Sequence, residues 1–111
     1  MDGPKIFKTA AKYFNNFLEL LLKKANVSLQ DINFVIPHQA SYHGIKHIQK
    51  HLGIKQDKVI CIIENYGNQV AASVPNALYE LTNNKQLQKG NKILFLGAAA
   101  GLILGGLILE Y

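Results

Sequence analysis

Ile93 to Leu109 is a run of seventeen residues without a charge, interrupted by Gly97, Gly101, Gly105 and Gly106. A run of that length is the lower limit for a membrane-spanning helix, and Gly97, Gly101 and Gly105 repeat the small-xxx-small spacing of membrane helix contacts. Against a span stand the four glycines, the lack of an aromatic belt or basic cluster at either end, and the Gly/Ala tract that splits the run into two β-rich halves. The pattern favours two buried strands, Lys92 to Leu96 and Leu102 to Tyr111, joined by a tight glycine loop from Gly97 to Gly101.

Such a pair needs partners, and 111 residues, 49% of them hydrophobic, suffice for one core. No linker or charge run divides the chain, so it reads as a single domain over residues 1–111. Lysine supplies all 12 positive charges against 7 acidic ones, a net charge of +5. That balance favours acidic partners. Without arginine, the forked contacts that dominate base and phosphate readout are missing, and nucleic-acid binding is not expected. The lone Cys61 sits in the apolar run Val59 to Ile63. It is expected to be a buried thiol, in keeping with a reducing, cytoplasmic compartment. The N-terminus leads into an amphipathic segment without a signal-peptide core, so export is not expected.

The apolar residues Ile6, Phe7, Ala10, Ala11, Phe14, Phe17, Leu18, Leu21, Leu22 and Ala25 recur at helical spacing, with Asp2 as a cap and Lys23 and Lys24 at the end. Ser28 and Asp31 have capping-box spacing, which predicts one helical turn before a strand from Asn33 to Ile36. A second helix is expected from the N-cap Ser41 to Leu52, with Ile45, Ile48 and Leu52 inward and Gly53 as the left-handed cap. Lys58 to Glu64 reads as a buried strand. Ser73-Val74-Pro75 opens a third helix, with Val74, Ala77, Leu78 and Leu81 on one face and Asn83-Asn84 at its end. The alternation of strand and helix makes this an α/β chain.

Two segments carry candidate chemistry. Val35-Ile36-Pro37-His38-Gln39-Ala40-Ser41 and Asn65-Tyr66-Gly67-Asn68-Gln69-Val70-Ala71-Ala72-Ser73 each leave a strong hydrogen-bonding side chain where a helix is about to start. Strand-to-helix junctions are the usual place for site residues in α/β folds. The His38 imidazole and the Asn68 amide can both point donors at one developing oxyanion, so the two are expected to converge. His43, His47 and His51 form a stripe at i, i+4 spacing on the second helix. No carboxylate lies between Asp31 and Asp57 to complete a metal site, so the stripe reads as a solvated or interface face and no metal is expected.

With these segments placed, the sequence resembles the C-terminal half of β-ketoacyl-acyl-carrier-protein synthase III, within the thiolase-like superfamily. Met1 to Lys8 is similar to the opening of that half, Ile36-Pro37-His38-Gln39-Ala40 to its His motif, Gly67 to Pro75 to its Asn motif, and Gly97 to Gly106 to its closing glycine-rich hairpin. The resemblance implies a thiolase-like half-domain, a mixed sheet covered by helices and ending in a glycine-rich β-hairpin, with strands rather than a membrane helix at the C-terminus.

It also implies a function in fatty-acid synthesis. In the family a cysteine takes an acyl group from acyl-CoA, while a His and an Asn bind the thioester oxygen of malonyl-acyl-carrier protein as it decarboxylates. By motif match these are His38 and Asn68, with Gln39, Gly97, Ala98 and Gly101 at the substrate. No cofactor is implied beyond the phosphopantetheine of the substrates. The family's basic contact for the acyl carrier protein falls at His43, and Lys46 and Lys50 on the same helix could take over that task, a solvated face being the other reading. Ser41, Gln69-Val70 and Ala98-Ala99 depart from the usual motifs, which bears on substrate preference. The family's nucleophile belongs to an N-terminal half that this sequence does not contain, and Cys61 matches a strand position instead. The isolated chain is therefore expected to be inactive, and to need that half, a companion subunit or a second copy in a homo-oligomer, most simply a dimer. The alternative is a non-catalytic thiolase-like module that binds acyl thioesters or a partner chain.

Overall fold

The computed structural model describes residues 3–99 and 103–111. Helix α1 spans Gly3–Ala25, β1 Phe34–Pro37, α2 Tyr42–Leu52, α3 Ile63–Tyr66, α4 Ser73–Asn83, β2 Lys92–Ala99 and β3 Ile103–Glu110. The strands form one mixed sheet in the order β1-β2-β3. β1 runs parallel to β2, with Val35 opposite Leu94, and β2 runs antiparallel to β3, with Leu94 opposite Ile108. Among the described residues no helix is long and apolar enough to cross a membrane. β2 and β3 make the C-terminal run an antiparallel strand pair, as the two-strand reading expects.

Because side chains alternate across a strand, the apolar runs of β1 and β2 must be covered on both faces. On one face Val35, Leu94 and Leu96 pack with Leu18, Ile45 and Leu52, joined by Phe14, Phe17, Leu21 and Ile48 from α1 and α2. On the other, Ile36 and Ile93 pack with Ala77 and Leu81 of α4, joined by Val74, Leu78 and Phe95. α4 does not extend over β3. Leu107 and Leu109, opposite Phe95 and Ile93, remain 53% and 40% exposed. The expectation of a buried C-terminal pair therefore holds for β2 and fails for this face of β3.

Helix ends follow local chemistry. The Ser41 Oγ accepts the Gly44 N–H at 3.0 Å, and Gly53, at φ 66°, donates its N–H to the carbonyls of Gln49 and Lys50. α1 closes on Asn26, at φ 55°, with the Val27 N–H on the Leu22 carbonyl. The turn Leu29–Asp31 forms as its capping box dictates, and the Ser28 N–H donates to Asp31 Oδ2 at 2.9 Å. That bond, helped by the Ser28 hydroxyl, holds the Asp31 carboxyl below its ordinary pKa. The expected cap at Asp2 lies outside the described residues.

Three other expectations are corrected. Lys58 to Glu64 is not a strand: Val59 makes a single parallel bridge to Val35, and Ile63–Tyr66 is already helical. Pro37 explains the break. The Ile60 N–H reaches the Val35 carbonyl at 2.9 Å, but the next ladder donor on β1 would be the N–H that proline lacks. Cys61, set off from the core by this departure, is exposed instead of buried. β2 also continues through Ala99, with Gly97 opposite Gly105, so residues 97–99 of the expected glycine loop belong to a strand, and the rest of that loop lies outside the described residues.

Candidate functional site

β1 ends at Pro37, opposite Leu96, while β2 runs on to Ala99, and the His38 backbone N–H donates to the Leu96 carbonyl at 2.8 Å. This pins the residue at the carboxyl end of β1 beside a parallel neighbour, the end of a strand where open α/β sheets place their ligands. The half-buried His38 borders a cavity of about 200 Å³ between α1, α2 and the end of the sheet. Phe14, Phe17, Ile45, Ile48, Leu96 and Leu104 make its apolar wall, and Ala40, Ser41, Gly44, His47, His51 and Gly97 complete it.

The residue after His38 does the stitching. Gln39 is fully buried; its Nε2 donates to the carbonyls of Pro37 at 2.8 Å and Ile60 at 3.1 Å, and its Oε1 accepts the Ile62 N–H at 2.8 Å. These are the positions a continued ladder would have filled, so one side-chain amide stands in for a peptide unit where Pro37 interrupts pairing. With all of these bonds made to backbone, Gln39 meets the rest of the site through the chain rather than through solvent.

Ile62 caps α3, and α3 delivers the second motif. Gly67, at φ 65° and ψ −160°, adopts a conformation essentially reserved for glycine. Asn68 follows, exposed, with its Oδ1 accepting the Val70 N–H at 2.8 Å. Since that bond fixes which end of the amide is the acceptor, Nδ2 remains as the donor, with no partner among the described residues. The turn is buttressed by the Gln69 N–H on the buried Ser73 Oγ at 2.9 Å and by Asn76 Nδ2 on Gln69 Oε1 at 2.8 Å. The Tyr66 hydroxyl donates to Glu80 Oε1 at 2.7 Å, which raises the Tyr66 pKa and ties α3 to α4. Asn68 is not among the residues that line the cavity beside His38.

The other expected site residues are spread more widely. Gly97 lines the cavity, Ala98 pairs with Leu104 in the hairpin, and Gly101 lies outside the described residues. His43, Lys46 and Lys50 share one side of α2: the His43 ring meets Tyr42 edge-on at 6.2 Å and Lys46 Nζ sits 5.4 Å from the Tyr42 ring centre. His47 and His51 stack at 6.3 Å, His51 Nε2 lies 2.6 Å from Asn15 Oδ1, and Phe14 meets the His51 ring edge-on. Among the described residues no group of three or more His, Cys, Asp or Glu side chains could hold a metal ion. The cavity was not foreseen, although Ser41, Gly44, Ile48 and His51 recur at the spacing of one helix face.

The described family of 3-oxoacyl-[acyl-carrier-protein (ACP)] synthase III C-terminal domains matches residues 22–111. The chain belongs to that family. It is 41% identical over its whole length to the β-ketoacyl-[acyl-carrier-protein] synthase III of Clostridium tetani and 34% identical to that of Neisseria gonorrhoeae. It covers 33% and 35% of those two proteins, so it spans about a third of the length of the relatives it matches. Among solved structures, the 3-oxoacyl-[acyl-carrier-protein] synthase III of Aquifex aeolicus VF5 superimposes on the full chain with a TM-score of 0.90 at 35% identity, using 36% of that protein. The synthase III resemblance read from the four motifs is thus shown, and with it the thiolase-like α/β fold.

Proposed function

We propose that this chain is the C-terminal part of a 3-oxoacyl-ACP synthase III and supplies the His38 and Asn68 donors for decarboxylative condensation in fatty-acid synthesis. The observation that carries the reading is the state of the two side chains within a synthase III fold. His38 is held where β1 ends and borders a cavity, and Asn68 is turned so that its amide NH₂ is the free end.

The chemistry follows from those donors. In malonyl-ACP the bond between the α-carbon and the carboxylate breaks, CO₂ leaves, and the electron pair moves into an enolate on the thioester oxygen. An imidazole N–H and an amide N–H aimed at that oxygen stabilise the charge as it forms, more so once water is excluded. The enolate carbon then attacks the carbonyl of an acyl-cysteine, and the cysteine thiolate departs. The nucleophile is assigned to the N-terminal part of the relatives, not to Cys61. His43, Lys46 and Lys50 are the proposed contact for the acidic carrier protein, and Gln39 acts as a positioning residue that couples the two motifs, not as a substrate contact.

The test is to combine the chain with the N-terminal part of the Clostridium tetani relative and measure CO₂ released from malonyl-ACP. His38→Ala and Asn68→Ala should each lower the rate by about 10²-fold or more, the usual cost of an oxyanion donor. A second reading, a module that binds acyl thioesters without condensing them, is favoured by the position of Asn68 outside the cavity that His38 lines. Thioester binding with no CO₂ release in any combination would select it.

A further inference from the structure

The position of Asn68 is set by its neighbours. It is exposed, and its one side-chain bond among the described residues, from the Val70 N–H to Oδ1, lies within its own turn. That bond does not fix the amide relative to His38. On the side before it, the Gly67 N–H reaches the Ile63 carbonyl at 2.8 Å and ties the turn to α3. On the side after it, Gln69 is held at three points. Its N–H donates to the buried Ser73 Oγ at 2.9 Å, its carbonyl accepts the Ala72 N–H at 3.2 Å, and its Oε1 accepts from Asn76 Nδ2 at 2.8 Å.

The first two of these bonds hold only the backbone, at the very start of α4, and a peptide anchored that way still rocks about its anchor. The third attaches the far end of the Gln69 side chain to Asn76, one turn into the helix, and removes that freedom. Both side chains are half-buried. Asn76 is followed by Ala77, which is fully buried and packs with Leu81 against Ile36 and Ile93. Ile36 belongs to β1, two residues before His38. A continuous path of packed and hydrogen-bonded groups therefore runs from the strand that presents His38, through α4, Asn76 and Gln69, to the Asn68 amide. Oxyanion donors act through geometry, and a misplacement of about 1 Å costs as much as 10²-fold in rate. A donor on an exposed turn therefore needs supporting groups that lock it.

We infer that Asn76, acting through the Gln69 side chain, is a positioning residue for Asn68: the pair of amides fixes the direction of the Asn68 donor relative to His38 without touching substrate. The inference rests on the proposed function for the role of Asn68, and adds to it a support on the α4 side that complements Gln39 on the β1 side. An amide carries both a donor and an acceptor, so the link tolerates a change in which group donates. In Asn76→Asp the Gln69 amide turns over and its Nε2 donates to the carboxylate. Asn76→Leu, of similar size, has neither group and breaks the link.

The test has two arms. In the full chain by itself, ¹⁵N relaxation of the Asn68 side-chain amide reads its order without turnover. The NH₂ should be as ordered in Asn76→Asp as in the wild type, and mobile on the picosecond-to-nanosecond scale in Asn76→Leu, with helical circular dichroism retained. Gln69→Leu breaks the same link from its other end and takes the place of Asn76→Leu if that variant fails to fold. In the chain combined with the N-terminal part of the Clostridium tetani relative, Asn76→Leu should lower kcat for CO₂ release about tenfold with KM for malonyl-ACP unchanged, and Asn76→Asp should restore it. In an Asn68→Ala background Asn76→Leu should have no further effect, since a residue that acts through Asn68 has nothing left to position. An Asn68 amide equally ordered in every variant overturns the inference, and so does a loss of rate that persists in full in the Asn68→Ala background. If no combination releases CO₂, the proposed function falls, and the relaxation arm alone decides whether Asn76 orders Asn68.

Discussion

Gln39 accepts the Ile62 N–H at 2.8 Å from the far side of a proline break, and so carries the pairing between β1 and the Val59–Ile62 segment past the point where the backbone can no longer provide it. The residue that begins this bridge is the neighbour of His38, and the residue that receives it caps the helix leading to Asn68. Replacement by alanine would leave the Ile62 N–H and the Ile60 carbonyl without their partner inside a packed region. Each buried group left unsatisfied costs about 1–3 kcal/mol. Gln39→Ala should therefore destabilise the chain by about 3 kcal/mol in urea denaturation. Gln39→Glu should be no better, because it loses both N–H donors and sets a carboxylate against two carbonyls. Equal midpoints for wild type and Gln39→Ala would show that the bridge is dispensable.

Adjacent glycines in β3 should respond oppositely. A Cβ on Gly106 would lie 2.8 Å from the Phe95 carbonyl oxygen, 3.0 Å from Leu21 Cδ2 and 3.2 Å from Phe17 Cζ, because α1 packs directly on this strand. Nothing lies within 4 Å of a Cβ on Gly105. Gly106→Ala should cost about 1–3 kcal/mol through overpacking, and Gly105→Ala should be neutral or stabilising by up to about 1 kcal/mol, since glycine is costly in a strand. Thermal denaturation of the two variants side by side reads the difference.

The Asn68 turn stores strain in its other residues. Val70, a β-branched residue 72% exposed to solvent, is held at φ 56° so that its N–H can reach Asn68 Oδ1. Left-handed backbone costs an ordinary residue about 1–2 kcal/mol, and asparagine tolerates it better. Val70→Asn should raise stability by about 1 kcal/mol without loss of the turn. Gly67→Ala should lower it by about 1–3 kcal/mol, because its backbone conformation suits glycine alone. Paired urea curves for the two variants decide whether the turn is strained as described.

What could be read from the sequence was what local chemistry controls. Ser41 and Gly53 mark both ends of α2, and Ser28 and Asp31 mark the short turn, because each acts on backbone groups only a few residues away. In the C-terminal run the four glycines, the Gly/Ala tract and the lack of an aromatic belt favoured two strands over a helix, and the synthase III resemblance implied the same. The segment from Lys58 to Glu64 misled for the opposite reason: its apolar residues suit a strand, and only the missing N–H of Pro37, more than twenty residues earlier, stops the pairing. The exposure of Cys61 follows from that same break. His38 and Asn68 were singled out by their position at helix starts, but the burial of Gln39 and its bonds to Ile60 and Ile62 were hidden, since they depend on a segment more than twenty residues away. The cavity was hidden too, because a cleft is a property of two helices at once.

The open face of β3 gives the last prediction. Leu107 and Leu109 stand on the side of the sheet that α4 covers over β1 and β2 but not over β3, and they are 53% and 40% exposed although they continue the apolar surface of Phe95 and Ile93. Burying two such leucines is worth about 1.5–3 kcal/mol each, so the surface favours cover by a second copy or by the rest of a longer synthase. Light scattering after size-exclusion chromatography should show self-association that rises with concentration through the micromolar range. Leu107→Lys with Leu109→Lys should return the chain to monomer with its fold intact, because neither side chain is in the buried core. Addition of the N-terminal part of the Clostridium tetani relative should compete with self-association if both use this face. A wild-type chain that stays monomeric at all concentrations would show that two leucines on an edge strand are too small a patch to recruit a partner here.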